Sequence, residues 1–456
     1  MSRFHVHIAL GCLLAAAAWS ATLDTDLRGR PVKRGFFSSA KCKIFGSGCG
    51  PSEDDLTYGV LFDAGSSSTK LRVYRVTPSE SSGSLPTLAI VYSQRFDPGV
   101  DSFVNDEDGL REYLTSILDS AKENVPENKQ ERTPIYLFAT AGMRFLSADD
   151  ATALVDNIKE VFQNSSLSPF LYKPAGVGIL SGEEEGVYSW VAANYLLGFF
   201  NENRPDTEAV GVLEMGGGST QITFVPRNPL YDGEFQVTVR GRTFELYVHS
   251  YLQFGINAIN NWVAQILAER NPRQRFVHNP CMLKGDEKEV KLQNGLELTM
   301  DGSSDPDQCK DILTTILKPE TGIRCEPKPC AIGSVYQPDV DDIQFYATQG
   351  FTYAPATLNA IEDDETLNLE TLEENASRHC RRTLKQSVKA GIKRDLGSTT
   401  CLMGEYIPIL FTTSYNFPTD TTNIKATSNI GDSSIDWGLG AMVIELTGNQ
   451  VRRRRR

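Results

Sequence analysis

Two short stretches carry, in the same order, the residue types that phosphate chemistry needs. One is Asp63-Ala-Gly-Ser-Ser-Ser-Thr69; the other is Glu214-Met-Gly-Gly-Gly-Ser-Thr220. Aligning Asp63 with Glu214 matches Gly65 with Gly216, Ser68 with Ser219 and Thr69 with Thr220. A turn of Gly and Ser leaves backbone N–H groups unpaired, and such nests bind anions, phosphate above all. Gly65, Gly216, Gly217 and Gly218 keep side chains out of the approach. Ser66, Ser67, Ser68, Thr69 and Ser219 add hydroxyl donors. Gly and Ser also occur in turns for turn chemistry alone; two matched turns, each opened by an acid, favour the phosphate reading. Asp63 and Glu214 are placed to hold one divalent cation, Mg²⁺ or Ca²⁺, because both ions prefer carboxylate, water and phosphate oxygens. Hydrolysis also needs a base to activate water. The run Glu183-Glu184-Glu185 offers one, although acids at a helix start also simply complement the helix dipole.

The elements that present these turns read as strands. Tyr58-Gly-Val-Leu-Phe62 is a short apolar strand, and Leu71 to Val76 alternates with period two. Gly211 to Leu213 and Gln221 to Val225 repeat that arrangement around the second turn. A P-loop or dinucleotide fingerprint needs a helix after its glycines, so strand–turn–strand disfavours both. Asp108–Asn124, Ala148–Phe162 and Glu183–Phe199 have helical apolar spacing, and Ile135–Phe138 is a buried-strand candidate. Strands alternating with helices imply an α/β architecture.

The chain has 456 residues and a net charge of −13, and five of its positive charges are the terminal run Arg452–Arg456. A body this acidic repels a nucleic-acid backbone; it does not exclude a small polyphosphate held by local donors and a metal. Residues 1–20 read as a signal peptide: Arg3, then the apolar run Ile8–Trp19, too short to span a bilayer. Residues 21–54 read as a leader or linker, with Lys33-Arg34 a dibasic pair. Ala441–Leu446 is only strand-length, and no transmembrane anchor is expected. Eight cysteines follow the signal peptide, which allows 105 connectivities. Local spacing favours Cys42–Cys49, Cys281–Cys309, Cys325–Cys330 and Cys380–Cys401, as an oxidising compartment permits. None has zinc-site spacing. Asn164-Ser-Ser and Asn375-Ala-Ser are glycosylation sequons. The expected location is extracellular or the secretory lumen.

These features together resemble the nucleoside triphosphate diphosphohydrolases, or apyrases, of the actin-like phosphotransferase superfamily. Five conserved regions of that family have counterparts here in order: Asp63–Tyr74, Ala139–Leu146, Gly182–Gly198, Glu214–Phe224 and Asp436–Gly440. The resemblance implies an α/β, two-lobed actin-like (ribonuclease H-like) fold with the active site in the interlobe cleft. Lobe I would be 55–174 completed by 427–450, lobe II 175–426, and 451–456 a solvated basic tail. It implies that Glu185 is the general base, with Thr140 near the metal and terminal phosphate. Asp63 and Glu214 would hold the metal through water. Gly65, Ser66 and Ser68 would form the first phosphate loop, and Gly217, Ser219 and Gln221 the second, with Ser219 and Gln221 near the attacking water and the metal. Tyr353 would stack on the nucleobase, Trp437 would be mainly structural, and Arg144 would be conformational or near phosphate, outside the catalytic set. The cysteine pairs within 281–401 resemble disulfides of the family's second lobe.

The implied activity is stepwise hydrolysis of nucleoside tri- and diphosphates by a monomer, with Ca²⁺ or Mg²⁺ and no phosphoenzyme. Two departures bear on it. Position 214 is Glu where the family usually has Asp, which shifts a carboxylate by about a bond length. Ile256 stands where some members have an Arg, so base stacking loses its cation–π half. Narrower alternatives are a lumenal diphosphatase, a polyphosphate phosphatase on the same scaffold, and a nucleotide-binding homologue impaired by Glu214.

Overall fold

The first sheet is built around the first acidic turn. A computed structural model describes residues 56–79, 84–292, 294–318 and 325–453. The signal peptide, the leader, Lys33-Arg34, Cys42–Cys49 and Arg454–Arg456 lie outside the described residues. Strands β1 (Thr57–Ala64), β2 (Thr69–Thr77) and β3 (Thr87–Phe96) form an antiparallel meander, and β4 (Pro134–Ala139) and β5 (Leu171–Ile179) extend it in parallel. The sheet order is β3-β2-β1-β4-β5. Strand alternation sends Val60, Phe62 and Ala64 into a core with helices α1 (Glu107–Asn124) and α3 (Ala148–Gln163). Leu61 faces the opposite core. A short helical turn, α2 (Ala141–Arg144), follows β4 directly.

The second sheet repeats this plan. After helix α4 (Gly182–Leu196) come β6 (Gly211–Met215), β7 (Ser219–Phe224), β8 (Glu234–Val239) and β9 (Arg242–Leu252), all joined by antiparallel pairing. Helix α5 (Ile256–Arg270) leads to a small sheet of β10 (Phe276–Asn279), β11 (Glu287–Lys291) and β12 (Glu297–Gly302). Helices α6 (Pro306–Leu317), α7 (Tyr353–Thr357), α8 (Leu369–Cys380) and α9 (Gly397–Ile409) flank the larger sheet's parallel strands β13 (Phe345–Gln349) and β14 (Ile424–Ala426) in the chain. Its order is β14-β13-β6-β7-β9-β8, with one further strand beyond β8. Both sheets therefore have a first strand flanked by its hairpin partner on one side and by a later parallel strand on the other. The repeat read from the turns is a repeat of whole sheets, and the architecture is the two-lobed actin-like α/β fold.

Helix α10 (Trp437–Thr447) contains the stretch that looked strand-length. Its end signals were present in the sequence: the Asp436 side chain accepts from the Leu439 N–H at 3.1 Å, and Gly448 ends the helix at φ 69°. Its period was hidden because Trp437 through Ile444 are all buried, so no polar stripe marks a helical face. A Cβ on Gly440 would lie 1.8 Å from the Tyr188 carbonyl oxygen of α4. Glycine thus lets the two helices meet. Gly440→Ala is expected to destabilise the protein by about 3 kcal/mol, read as a fall in the urea unfolding midpoint.

Residues 451–453, expected to belong to a solvated basic tail, are strand instead. Gln450–Arg453 form the final strand of the larger sheet, pairing antiparallel with β8 from Gln450↔Thr238 to Arg453↔Phe235. An open edge on β8 offers unpaired backbone groups, and the chain end covers them. Disulfides Cys281–Cys309, Cys325–Cys330 and Cys380–Cys401 are formed. The sequons differ: Asn164 is exposed at the end of α3, whereas Asn375 lies inside α8 with its amide donating to Leu358 O at 2.7 Å. Among the described residues no helix is long and apolar enough to cross a membrane.

Candidate active site

The two turns close in the same way. Gly65 N–H donates to Ser68 O at 2.9 Å, and Gly216 N–H donates to Ser219 O at 2.9 Å. The registers agree as well: Asp63 pairs with Lys70, and Glu214 with Gln221. Among the described residues, the amides of Ser66, Ser67, Gly217 and Gly218 donate to no backbone carbonyl, which is the condition for an anion nest. The carbonyls of the second turn accept from the end of β9 and the start of α5. Ile256 N–H donates to Gly216 O, Asn257 N–H to Gly217 O and Gln253 N–H to Gly218 O. Gly255 permits that grip, since a Cβ there would be 2.5 Å from Gly216 O.

The turns lie against each other. A Cβ on Gly217 would be 3.8 Å from Ser66 Oγ, and one on Gly142 would be 2.6 Å from Ser66 Cα. Helix α2 is wedged between them, with Ala141 and Phe145 against Gly218. Thr140 enters that wedge and donates its N–H to Ala64 O at 3.1 Å. Thr69 starts β2 opposite Ala64. Ser67 Oγ accepts from Arg95 at 3.3 Å.

Glu185 reaches this junction from α4. The three glutamates ahead of Gly186 divide their work. Glu184 closes a capping box with Ser181. Glu185 turns inward and is 7% exposed. Its Oε2 accepts from Arg144 at 2.7 Å and from Gln221 Nε2 at 3.3 Å. Burial pushes its carboxyl up to about 7, against the lowering effect of the Arg144 guanidinium. Gln221 Nε2 also donates to Ser219 Oγ at 2.9 Å and Ser250 Oγ at 3.2 Å, while its Oε1 is buried without a protein partner.

The two opening acids are held differently. Asp63 shares the Arg72 guanidinium with Asp436, each at 3.3 Å. Gly438 makes room, since a Cβ there would be 2.7 Å from Arg72 Nη1. Glu214, 2% exposed, accepts from Ser189 Oγ and from Gln349 Nε2. Burial raises both carboxyls above the ordinary range, Glu214 well above it, with the charges of Glu185, Asp436 and Asp63 adding to the rise. Asp63, Glu185, Glu214 and Asp436 thus lie in one charged cluster with the guanidinia of Arg72 and Arg144 among them. Among the described residues no three His, Cys, Asp or Glu side chains form a ready-made metal cage. An oxygen-only donor set rich in carboxylates nevertheless fits a hard divalent cation.

Most of the residues singled out in the sequence converge here. Tyr353 stands apart from this bond network: it opens α7, half-buried, with its hydroxyl engaged by Thr357 and Thr400. Ile256 is buried at the start of α5, against Gly350. Sequence reasoning left out Arg144, Ser250, Arg72, Ser189 and Gln349. Arg72, Arg144 and Ser189 each lie inside a singled-out region, so these three were within reach of the sequence.

A duplicated sheet with facing Gly/Ser turns and a buried acid between them defines an actin-like α/β protein built for phosphate chemistry. A solved structure of nucleoside triphosphate hydrolases from Neospora caninum shares the fold, with TM-score 0.64 and 15% identity over 86% of this chain and 93% of that one. The chain belongs to the GDA1/CD39 (nucleoside phosphatase) family, whose profile matches residues 50–454, and is an apyrase-type hydrolase of nucleotide phosphates. Mouse (Mus musculus) ectonucleoside triphosphate diphosphohydrolase 8 is 32% identical over 86% of this chain and 83% of its own length. Human (Homo sapiens) ectonucleoside triphosphate diphosphohydrolase 3 is 30% identical over 87% and 79%.

Proposed function

We propose that the protein hydrolyses nucleoside tri- and diphosphates stepwise to the monophosphate and phosphate, with Ca²⁺ or Mg²⁺. The observation that carries this reading is Glu185, a buried carboxyl near pKa 7 beside two facing phosphate-type turns. Glu185 takes a proton from water as the water oxygen attacks the terminal phosphorus. The bond from that phosphorus to its bridging oxygen breaks, and the nucleotide leaves one phosphate shorter. Ser219 and Gln221 orient the water, and Thr140 stands by the terminal phosphate. Gly65 to Thr69 and Gly216 to Gly218 bind the phosphates, so that positioning and charge neutralisation supply most of the catalysis. Asp63 and Glu214 would hold the cation, which would neutralise phosphate charge when bound. Tyr353 stacks on the nucleobase. The partition into lobes at 55–174 with 427–450 and 175–426, a monomeric state, and an extracellular or secretory-lumen location belong to the same proposal; the three disulfides support the location.

Phosphate release from ATP and, separately, ADP, with Ca²⁺, Mg²⁺ or EDTA, tests this. Release from both nucleotides, abolished by EDTA, is expected. Turnover of diphosphates alone would instead establish a diphosphatase, and binding without turnover an impaired homologue.

A further inference from the structure

Glu214 is the site's departure in side-chain length, and two neutral donors hold it. Ser189 Oγ donates to one carboxylate oxygen, and Gln349 Nε2 donates to the other at 2.8 Å. Such donors stabilise an anion in a place where burial and three neighbouring acids oppose it. Asp63 by contrast is held by a guanidinium.

The holders come from two different elements. Ser189 lies one helical turn after Glu185 on α4, on the same face. The helix that carries the base therefore also braces the acid. Gln349 ends β13, in register with Met215. Its φ is 54°, in the left-handed region that a side-chain-bearing residue enters only at a cost. The backbone is pinned on both sides of that strain. Gln349 N–H donates to Ser428 Oγ at 3.2 Å, and Gly350 N–H donates to Met215 O at 3.0 Å. Strain held this firmly, in a residue whose amide ends on a site carboxylate, marks a functional constraint.

We propose that Ser189 and Gln349 are positioning residues that set where the Glu214 carboxylate stands, and through it the turnover rate. This rests on the nucleotide-hydrolysing reading of the site. Both side chains end on Glu214 rather than on a phosphate-type turn, so the expected effect is on kcat rather than on nucleotide affinity.

The test uses the full chain with Gln349→Met, Gln349→Glu and Ser189→Ala. Phosphate release from ATP with Mg²⁺ should show kcat lowered about tenfold for Gln349→Met and Ser189→Ala, with KM within about twofold. Gln349→Glu, which sets a second carboxylate against Glu214, should be worse. A second arm measures urea unfolding midpoints, without metal or nucleotide, for Gln349→Ala, Glu214→Ala and the double variant. The two effects should be non-additive, because each removes the same contact. If the wild type turns over and both Gln349→Met and Ser189→Ala keep kcat within about twofold of it, the proposal is wrong. If the wild type hydrolyses no nucleotide, the functional reading fails, and the unfolding cycle decides the positioning claim alone: additive effects overturn it. Should Gln349→Met fail to fold, Ser189→Ala carries the kinetic arm.

Discussion

Glu185→Gln is expected to lower kcat for ATP and ADP by about 10²- to 10⁴-fold, the usual contribution of a general base. The amide keeps the shape and still accepts from Arg144, so the fold and nucleotide binding should survive. That separation is the check: calorimetric affinity for a non-hydrolysable nucleotide stays near wild type while phosphate release collapses. Burial pushes the Glu185 carboxyl up from 4.5 to about 7. A base works only when deprotonated, so wild-type kcat/KM should fall as pH drops through about 7 and hold above it. Full activity at pH 5, or an unimpaired Glu185→Gln variant, would remove Glu185 from the role.

Arg144→Met should have the second-largest effect, and one that depends on pH. Arg144 is the cation within hydrogen-bond reach of Glu185, at 2.7 Å, and its charge opposes the effect of burial. Removing an opposite charge this close raises a carboxyl pKa by about 1–3 units. The ionised fraction of Glu185 at pH 7 then falls by about 5- to 500-fold, and activity with it. Raising the pH should recover much of the loss, because the base becomes ionised again. Arg144→Lys should fall between, since a point charge keeps the field but not the fixed Nη2 geometry that also reaches Ser219 Oγ at 3.4 Å. A loss of equal size at every pH would mean that Arg144 only packs the junction.

Much of the site was legible because its signals are local. The turn at Gly65 to Ser68 and its copy at Gly216 to Ser219 carry their own chemistry, and the alignment that matched them holds in both strand registers. The Glu run was less legible: its physics could not tell Glu184, which caps the helix, from Glu185, which faces the site. The choice rested on resemblance. Helix α10 was misjudged because burial on all sides erases periodicity, although Asp436 and Gly448 marked its ends.

The sequence by itself determined the two turns, the acids that open them, the α/β alternation, the three cysteine pairs within 281–401 and the class of chemistry. Each depends on residues close in the chain, where backbone geometry and turn chemistry decide the outcome. Only the tertiary structure decided which groups surround the acids. Arg72 joins Asp63 to Asp436, Ser189 and Gln349 hold Glu214, and Arg144 and Gln221 meet on Glu185. Apart from Arg72 and Asp63, nine residues apart on one hairpin, these partners lie on different elements and 25 or more residues apart in the chain. No local pattern encodes such contacts, because they arise when two sheets and the helices α4 and α10 pack and bury charges that must then find partners.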